Sequence, residues 1–306
     1  MNVPVRRPLF NRRPETNLYR MFFWIVLILG GVWLIKEVQV GDEKPLFLPT
    51  PTPTRTVNSY TLEGDAQFTA GKLDAAISAY QQAVRVDPNN ADIWVKLARI
   101  QTYSTRLLVT DDAVRARLAE ALASADKAVE LAPDDSNAHA VRAFVLDWNA
   151  NPVLHGVDAA QDYLLEADRE ATRAVQLDQT NTLALAYYAE ILTDQQKWTQ
   201  AQQNIDQALS REDGPSLMDV HRVHAYVLES LGEYTLAIEA YDRAISIAPN
   251  LTFLYLQAGA NYRTLGLRSP NEDTQKQLWE KSLEYFDKAA RINAQLEVED
   301  PVPYLS

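Results

Sequence analysis

One phrase, written six times with variations, constrains this chain more than any other feature. "LDAAISAYQQAVRVDPNN" at residues 73–90 returns as "YTLAIEAYDRAISIAPN" at residues 234–250. With the helix-ending Pro88 as a ruler, equivalent points fall at Pro133, Gln179, Asp213, Pro249 and Ala294, at gaps of 45, 46, 34, 36 and 45 residues. Before each point stand two small residues seven apart: Ala76 and Ala83, Ala121 and Ala128, Ala167 and Ala174, Ala201 and Ala208, Ala237 and Ala244, Ser282 and Ala289. Seven residues is two helical turns, so each pair shares a face and lets a neighbouring helix approach closely. Midway sits Tyr80, Ile205, Tyr241 or Phe286, with Ala125 and Ala171 in the two longer middle units. A stop signal follows in "DPNN", "APDD", "DQTN" and "APNL".

Upstream of each such helix lies another with its own signature. "IWVKLARIQ" puts Trp94 three residues before Leu97, and "LYLQAGANY" gives Tyr255, Ala258, Gly259 and Tyr262. The pattern resembles the tetratricopeptide repeat, whose unit reads W-x2-L-G-x2-Y, then A-x3-F, then P. The resemblance covers residues 57–295 as six units, at 57–90, 91–135, 136–181, 182–215, 216–251 and 252–295. The first carries Tyr60, Gly64, Gly71, Ala76, Tyr80, Ala83 and Pro88 in place, with Gln67 where the family prefers an aromatic. The third and fourth lack the glycine and the closing proline. The resemblance implies an all-α fold, an α-α superhelix of about six helical hairpins. Units two, three and six are longer. Three helical turns take about eleven residues, so such an insertion lengthens a helix without rotating its packing face. "TDDAVRARLAEALASADKAVEL" then reads as one long second helix capped near Asp111, and "SPNEDTQKQLWEKSLEYFDKAARI" as a helix with Pro270 in its first turn.

Composition agrees with helix: 47% of residues are hydrophobic and only 10 of 306 are glycine. With no cysteine, disulfides, thiolate catalysis, cysteine-ligated zinc and a lipoprotein anchor are excluded. The net charge of −12 is uneven. Residues 1–20 hold Arg6, Arg7, Arg12, Arg13 and Arg20 against Glu15. Removing these from the totals of 29 basic and 41 acidic residues leaves 24 and 40, a net of −16 over residues 21–306. So acidic a body repels phosphate backbones, and no nucleic-acid partner is expected.

"MFFWIVLILGGVWLI", residues 21–35, is an unbroken apolar run between Arg20 and Lys36. Extended from Leu18 to Val40 it is long enough to span a bilayer, with Trp24 and Trp33 near its ends, where indole rings favour the interface. A cleaved signal peptide is the rival reading, but "KEVQVGDEKP" offers no A-x-A site. The expectation is a transmembrane signal anchor at residues 21–40 behind a basic cytoplasmic tail at residues 1–20. The arginine bias places the amino terminus inside and the repeats on the outer face of a bacterial plasma membrane. A Pro/Thr-rich linker, residues 41–56, separates the two.

The search for chemistry finds no phosphate loop and no nucleophile elbow. His221 and His224 have a spacing two metal ligands could use, yet they occupy first-helix packing positions, and packing is the preferred reading. The chain is read as non-catalytic, with no cofactor and no metal. Family members bind peptide segments or partner helices on the concave face. Projecting that face gives Arg99, Tyr103, Phe144, Asp147, Trp148, Arg222, Tyr226 and Arg263 as the partner-binding groove, with Val95, Glu190, Asp194, Glu229 and Phe253 beside them. The competing reading is that some of these rings pack. The lysine–asparagine pair of the family's carboxylate clamp is replaced by Val95 with Arg99 and by Arg222 with Tyr226, so a chaperone-tail clamp is not indicated.

The functional expectation is a membrane-anchored scaffold or assembly factor for protein partners. The alternative is the regulatory amino-terminal portion of a larger enzyme or transporter. The terminus "NAQLEVEDPVPYLS" reads as a tail or the start of a seventh repeat, with Tyr304 placed as Trp94 is after its own "DPNNAD". An open end there predicts self-association, unless Val302, Tyr304 and Leu305 fold back onto repeat six.

Overall fold

The computed structural model describes residues 17–40, 55–298 and 303. The basic tail up to residue 16, most of the Pro/Thr linker, and Val302, Tyr304 and Leu305 lie outside the described residues. The chain divides into two compact units, Met1–Thr54 and Arg55–Ser306.

In the first unit, helix α1 (Leu18–Val40) is 23 residues long, about 34 Å at the usual rise. Asn17 caps it, its side-chain oxygen accepting from the Tyr19 amide at 3.1 Å. Leu18–Lys36 has a mean hydropathy of 2.0 and none of it is buried. A helix apolar on every side has no polar face to give to water, and its length and composition suffice to cross a bilayer.

Among its described residues the second unit has helices joined by short turns and no strand. Six hairpins follow in order: α2 (Val57–Thr69) with α3 (Leu73–Val86), α4 (Ala91–Ser104) with α5 (Asp111–Leu131), and α6 (Ser136–Asn149), a single turn α7 (Pro152–His155) and α8 (Val157–Leu177). Then come α9 (Thr182–Asp194) with α10 (Trp198–Leu209), α11 (Met218–Ser230) with α12 (Tyr234–Ile247), and α13 (Thr252–Arg268) with α14 (Glu272–Leu296). The superhelix of about six hairpins expected from the repeats is the fold.

The small-residue pairs are why the hairpins stack. Eleven of the twelve residues, from Ala76 to Ala289, are 0% exposed, and Ser282 is 3%. The ring between two small residues is matched by a small residue on the first helix. A Cβ on Gly64 would come within 2.6 Å of the Tyr80 ring, and one on Gly259 within 2.5 Å of the Phe286 ring. Glycine is needed where these rings cross closest, while Ala98, Ala143, Ala189 and Ala225 serve at the equivalent points of the other hairpins.

The joint between hairpins has its own device. Trp94 Nε1 donates to the Pro88 carbonyl at 2.9 Å and Tyr255 Oη to the Pro249 carbonyl at 2.9 Å. In the same place His139 Nε2 meets the Pro133 carbonyl at 2.9 Å and His221 Nε2 meets the Pro215 carbonyl at 3.0 Å. Each ring reaches back six residues to a carbonyl that the preceding turn leaves without a helical partner. In repeat four Leu185 cannot donate, and the corresponding Gln179 carbonyl accepts from Arg211 at 2.8 Å instead. His221 and His139 are thus joint residues, interchangeable in role with tryptophan and tyrosine.

Helices α5 and α8 have 21 residues and α14 has 25, against 14 in α3 and α12 and 12 in α10. The added length is shared rather than confined to second helices: repeat three spends part of it on α7, and α13 runs to 17 residues. The cap of α5 falls beside Asp111 as expected, at Thr110, whose side chain accepts from the Ala113 amide. One cap position differs from expectation. Asn271 caps α14 through the Thr274 amide, so Pro270 precedes that helix.

Candidate functional site

The first helices face the superhelix axis, and there the chain meets itself. Asp219, on α11, is 2% exposed. It accepts from Arg99 Nε at 3.0 Å, from a second Arg99 nitrogen, from Tyr103 Oη at 2.5 Å and from Tyr187 Oη at 2.6 Å. Repeats two, four and five are pinned at this one carboxylate. Burial raises its pKa, but the Arg99 charge and the three donors outweigh that and hold the carboxyl far below its usual range.

A second ion pair lies beside it. Arg222 clasps Glu190 through two bonds, at 2.7 and 2.5 Å, and donates to Tyr103 Oη at 3.2 Å. Aromatic rings form a column along the axis. Tyr187 stacks on Phe144 with centroids 4.5 Å apart, Phe144 tilts against Tyr103 at 5.2 Å, and Tyr103 stacks on Phe253 at 5.4 Å. Repeats four, three, two and six each supply one ring. The circuit closes at repeat one, where Asn250 Nδ2 donates to the Thr69 carbonyl at 3.1 Å. A Cβ on Gly71, whose φ is +78°, would stand 2.3 Å from the Asn250 carbonyl oxygen.

The eight residues projected onto the groove therefore divide. Tyr103 and Phe144 are 0% exposed, Arg222 is buried against Glu190, and Arg99 is tied to Asp219. These four are tied into the contacts that hold the superhelix shut, Tyr103 and Phe144 with no exposed surface. Asp147, Trp148, Tyr226 and Arg263, with one side of Arg222, line a cavity of about 600 Å³ that remains at one end of the axis. Residues not projected complete its wall: Arg106, whose guanidinium lies 4.4 Å from the centroid of the Trp148 ring, Tyr241, and the apolar Leu108, Leu118 and Leu256.

This end differs electrostatically from the rest of the axis. Asp147, 5% exposed, leaves its Oδ1 without a hydrogen-bond partner. Burial, then the charges of Asp194 and Glu190, push its carboxyl well above the usual range. Asp194 sits at the mouth, open to water yet walled by protein, and takes a bond from Tyr226 Oη. Its pKa is pushed up to about 6 by that enclosure and by Glu190, against the opposing pull of the Tyr226 bond. The two carboxyls of Asp147 and Asp194 are within hydrogen-bonding reach of each other. Trp148 Nε1 donates to Glu190 Oε1 at 3.3 Å, so the wall and the axial network are continuous. Among the described residues no group of His, Asp and Glu side chains has a metal-binding arrangement.

Asp219 and Tyr187 were missed in the sequence. Asp219 stands at the second position of its helix, as Phe253 does, and that shared register was the available signal.

Two family models match the chain: a TPR repeat over residues 64–101 and a tetratricopeptide repeat over residues 183–252. No curated protein matches it. Among solved structures it is similar to TTC0263, a thermophilic TPR protein in Thermus thermophilus, at 17% identity with a TM-score of 0.53. That match covers 67% of this chain and 98% of the other. It is also similar to the human IFIT1 dimer with m7Gppp-AAAA, at 18% identity and a TM-score of 0.53, covering 85% of this chain and 64% of that one. At such identities the likeness is one of fold.

Proposed function

We propose that this chain, a tetratricopeptide-repeat protein, is a membrane-anchored, non-catalytic scaffold that holds protein partners through the cavity at the end of its superhelix axis. The observation that carries the reading is the division of the inner face. One stretch is closed by its own hydrogen bonds, while the other is left as an aromatic-walled space with a buried polar atom unmet. Partner sites in proteins combine such rings with a few convergent charges. Trp148, Tyr226 and Arg263, with Arg106, are the residues offered to the partner. Helix α1 is the anchor, with the basic tail in the cytoplasm and the repeats on the outer face of a plasma membrane.

The test is capture of partners by the full chain from detergent-solubilised membranes. Replacing Trp148 and Arg106 by alanine should abolish capture while leaving the helical circular dichroism intact. Undiminished capture by that folded variant would move the site to the convex face. For the orientation, protease added to intact spheroplasts should digest the repeats; full protection would reverse it.

A further inference from the structure

The cavity's unmet polar demand says what chemistry its occupant brings. Of the residues lining it, Asp147 alone has a buried polar atom with no partner, and that atom is a carboxylate oxygen, an acceptor. Three neighbouring donors are already spent. Arg222 is committed to Glu190, the Arg106 guanidinium lies on the Trp148 ring, and the Tyr226 hydroxyl goes to Asp194. The Asp194 carboxyl lies within hydrogen-bonding reach of the Asp147 carboxyl, and two carboxyls that close share a proton rather than both ionise. A cation in place of that proton lets both ionise and gives Oδ1 its donor. The lining is mixed in charge, with Arg106, Arg222 and Arg263 beside Asp147, Glu190 and Asp194, while Leu108, Leu256 and the Tyr226 and Trp148 rings give an alkyl stem apolar contact. Residues 21–306 carry a net charge of −16 (24 basic against 40 acidic), which draws a basic partner.

Resting on the scaffold reading above, we infer that the cavity is a lysine-receiving site: a partner protein inserts a lysine side chain whose ammonium lies between Asp147 and Asp194. The partner is therefore selected for a protruding basic residue, the inverse of a site that grips a carboxylate. Binding expels the shared proton. The groups that set the exchange are Glu190 on α9, Arg222 and Tyr226 on α11, Arg106 after α4 and Arg263 on α13.

The experiment titrates the full chain in detergent with a capped pentapeptide, two glycines on each side of a lysine. Its Nε-acetyl twin and a glutamate-centred analogue follow, by calorimetry in two buffers of different ionisation heat near pH 6. The lysine peptide should bind and release a fraction of a proton. Acetylation should weaken binding at least about tenfold, as loss of one charge pair at a desolvated site does. Asp147→Asn combined with Asp194→Asn should remove both binding and proton release while the variant still melts cooperatively. Equal affinity for the acetylated peptide, tighter binding of the glutamate peptide, or no binding of the lysine peptide would each overturn the inference. Partner capture separates this from the wider reading. A partner retained by the double asparagine variant sinks the lysine site and leaves the scaffold standing, whereas no partner retained by the unaltered chain sinks the scaffold.

Discussion

Two aspartates on the inner face, Asp219 and Asp147, are both buried, at 2% and 5% exposure, yet they behave as opposites. Asp219 accepts four bonds and its carboxyl is held far below its usual pKa, whereas Asp147 has an oxygen with no donor and is pushed well above it. Burial acts in the same direction on each. What differs is whether donors from distant repeats converge. The comparison teaches that in a closed superhelix the axis is not one surface but two: a satisfied half that is structure and an unsatisfied half left for something else.

The largest effect expected is at the satisfied half. Asp219→Ala strands the Tyr103 and Tyr187 hydroxyls and the Arg99 charge, and should cost about 3–5 kcal/mol, the usual loss on breaking a buried pair. Urea unfolding measures it, and a loss under about 1 kcal/mol, the scale of an exposed pair, would erase the distinction between the two aspartates. Because the Asp219 pKa is depressed, its stabilisation is present above the unfolded carboxylate value and fades as pH falls below about 4.

Ring closure comes next. Gly71→Ala forces a Cβ against the Asn250 carbonyl at positive φ, and should destabilise by about 1–3 kcal/mol. If it unfolds repeat one alone, seen as early amide exchange confined to α2 and α3, closure and the axial network are independent. A single cooperative transition would join them. As a control outside both halves, Trp94→Phe keeps an aromatic ring, though a smaller one, and removes the bond to the Pro88 carbonyl, whose loss should cost about 0.5–1.5 kcal/mol by thermal melting.

The smallest effect has the opposite sign. Asp147→Asn removes a group that folding makes harder to ionise, so it should raise the melting temperature. A raised folded pKa costs nothing while both states are protonated, so the gain is absent below about pH 4, the unfolded value. It appears as pH rises above that. Asp194→Asn should follow the same course, levelling off above about 6, where the folded carboxyl is itself ionised. A melting temperature lowered at pH 8 would mean that Asp147 has a partner and that the comparison is false.

The sequence made the local unit legible because its causes are local. Ala76 and Ala83 mark a packing face whatever the rest of the chain does, and Pro88 with Trp94 marks a joint within six residues. It did not make the closure legible. Arg99 and Asp219 lie 120 positions apart, and their meeting depends on small rotations summed over four hairpins. No single motif carries that sum, so residues projected onto an open groove, Tyr103 and Phe144 among them, turn out to be a second core. The cap on α14 shows the same limit at short range: Ser269, Pro270 and Asn271 all suit a helix start, and only the Thr274 amide says which one serves.

The bond from Asn250 to the Thr69 carbonyl spans 181 positions, and it changes how the chain must fold. A string of hairpins joined only to their neighbours can nucleate anywhere and fray from either end, each unit melting nearly on its own. Here the first hairpin finds its last partner only after the fifth has formed, so a slow, late step in loop closure is built in. In return the first hairpin cannot leave without also breaking its bond to the turn after the fifth, so fraying from that end is opposed.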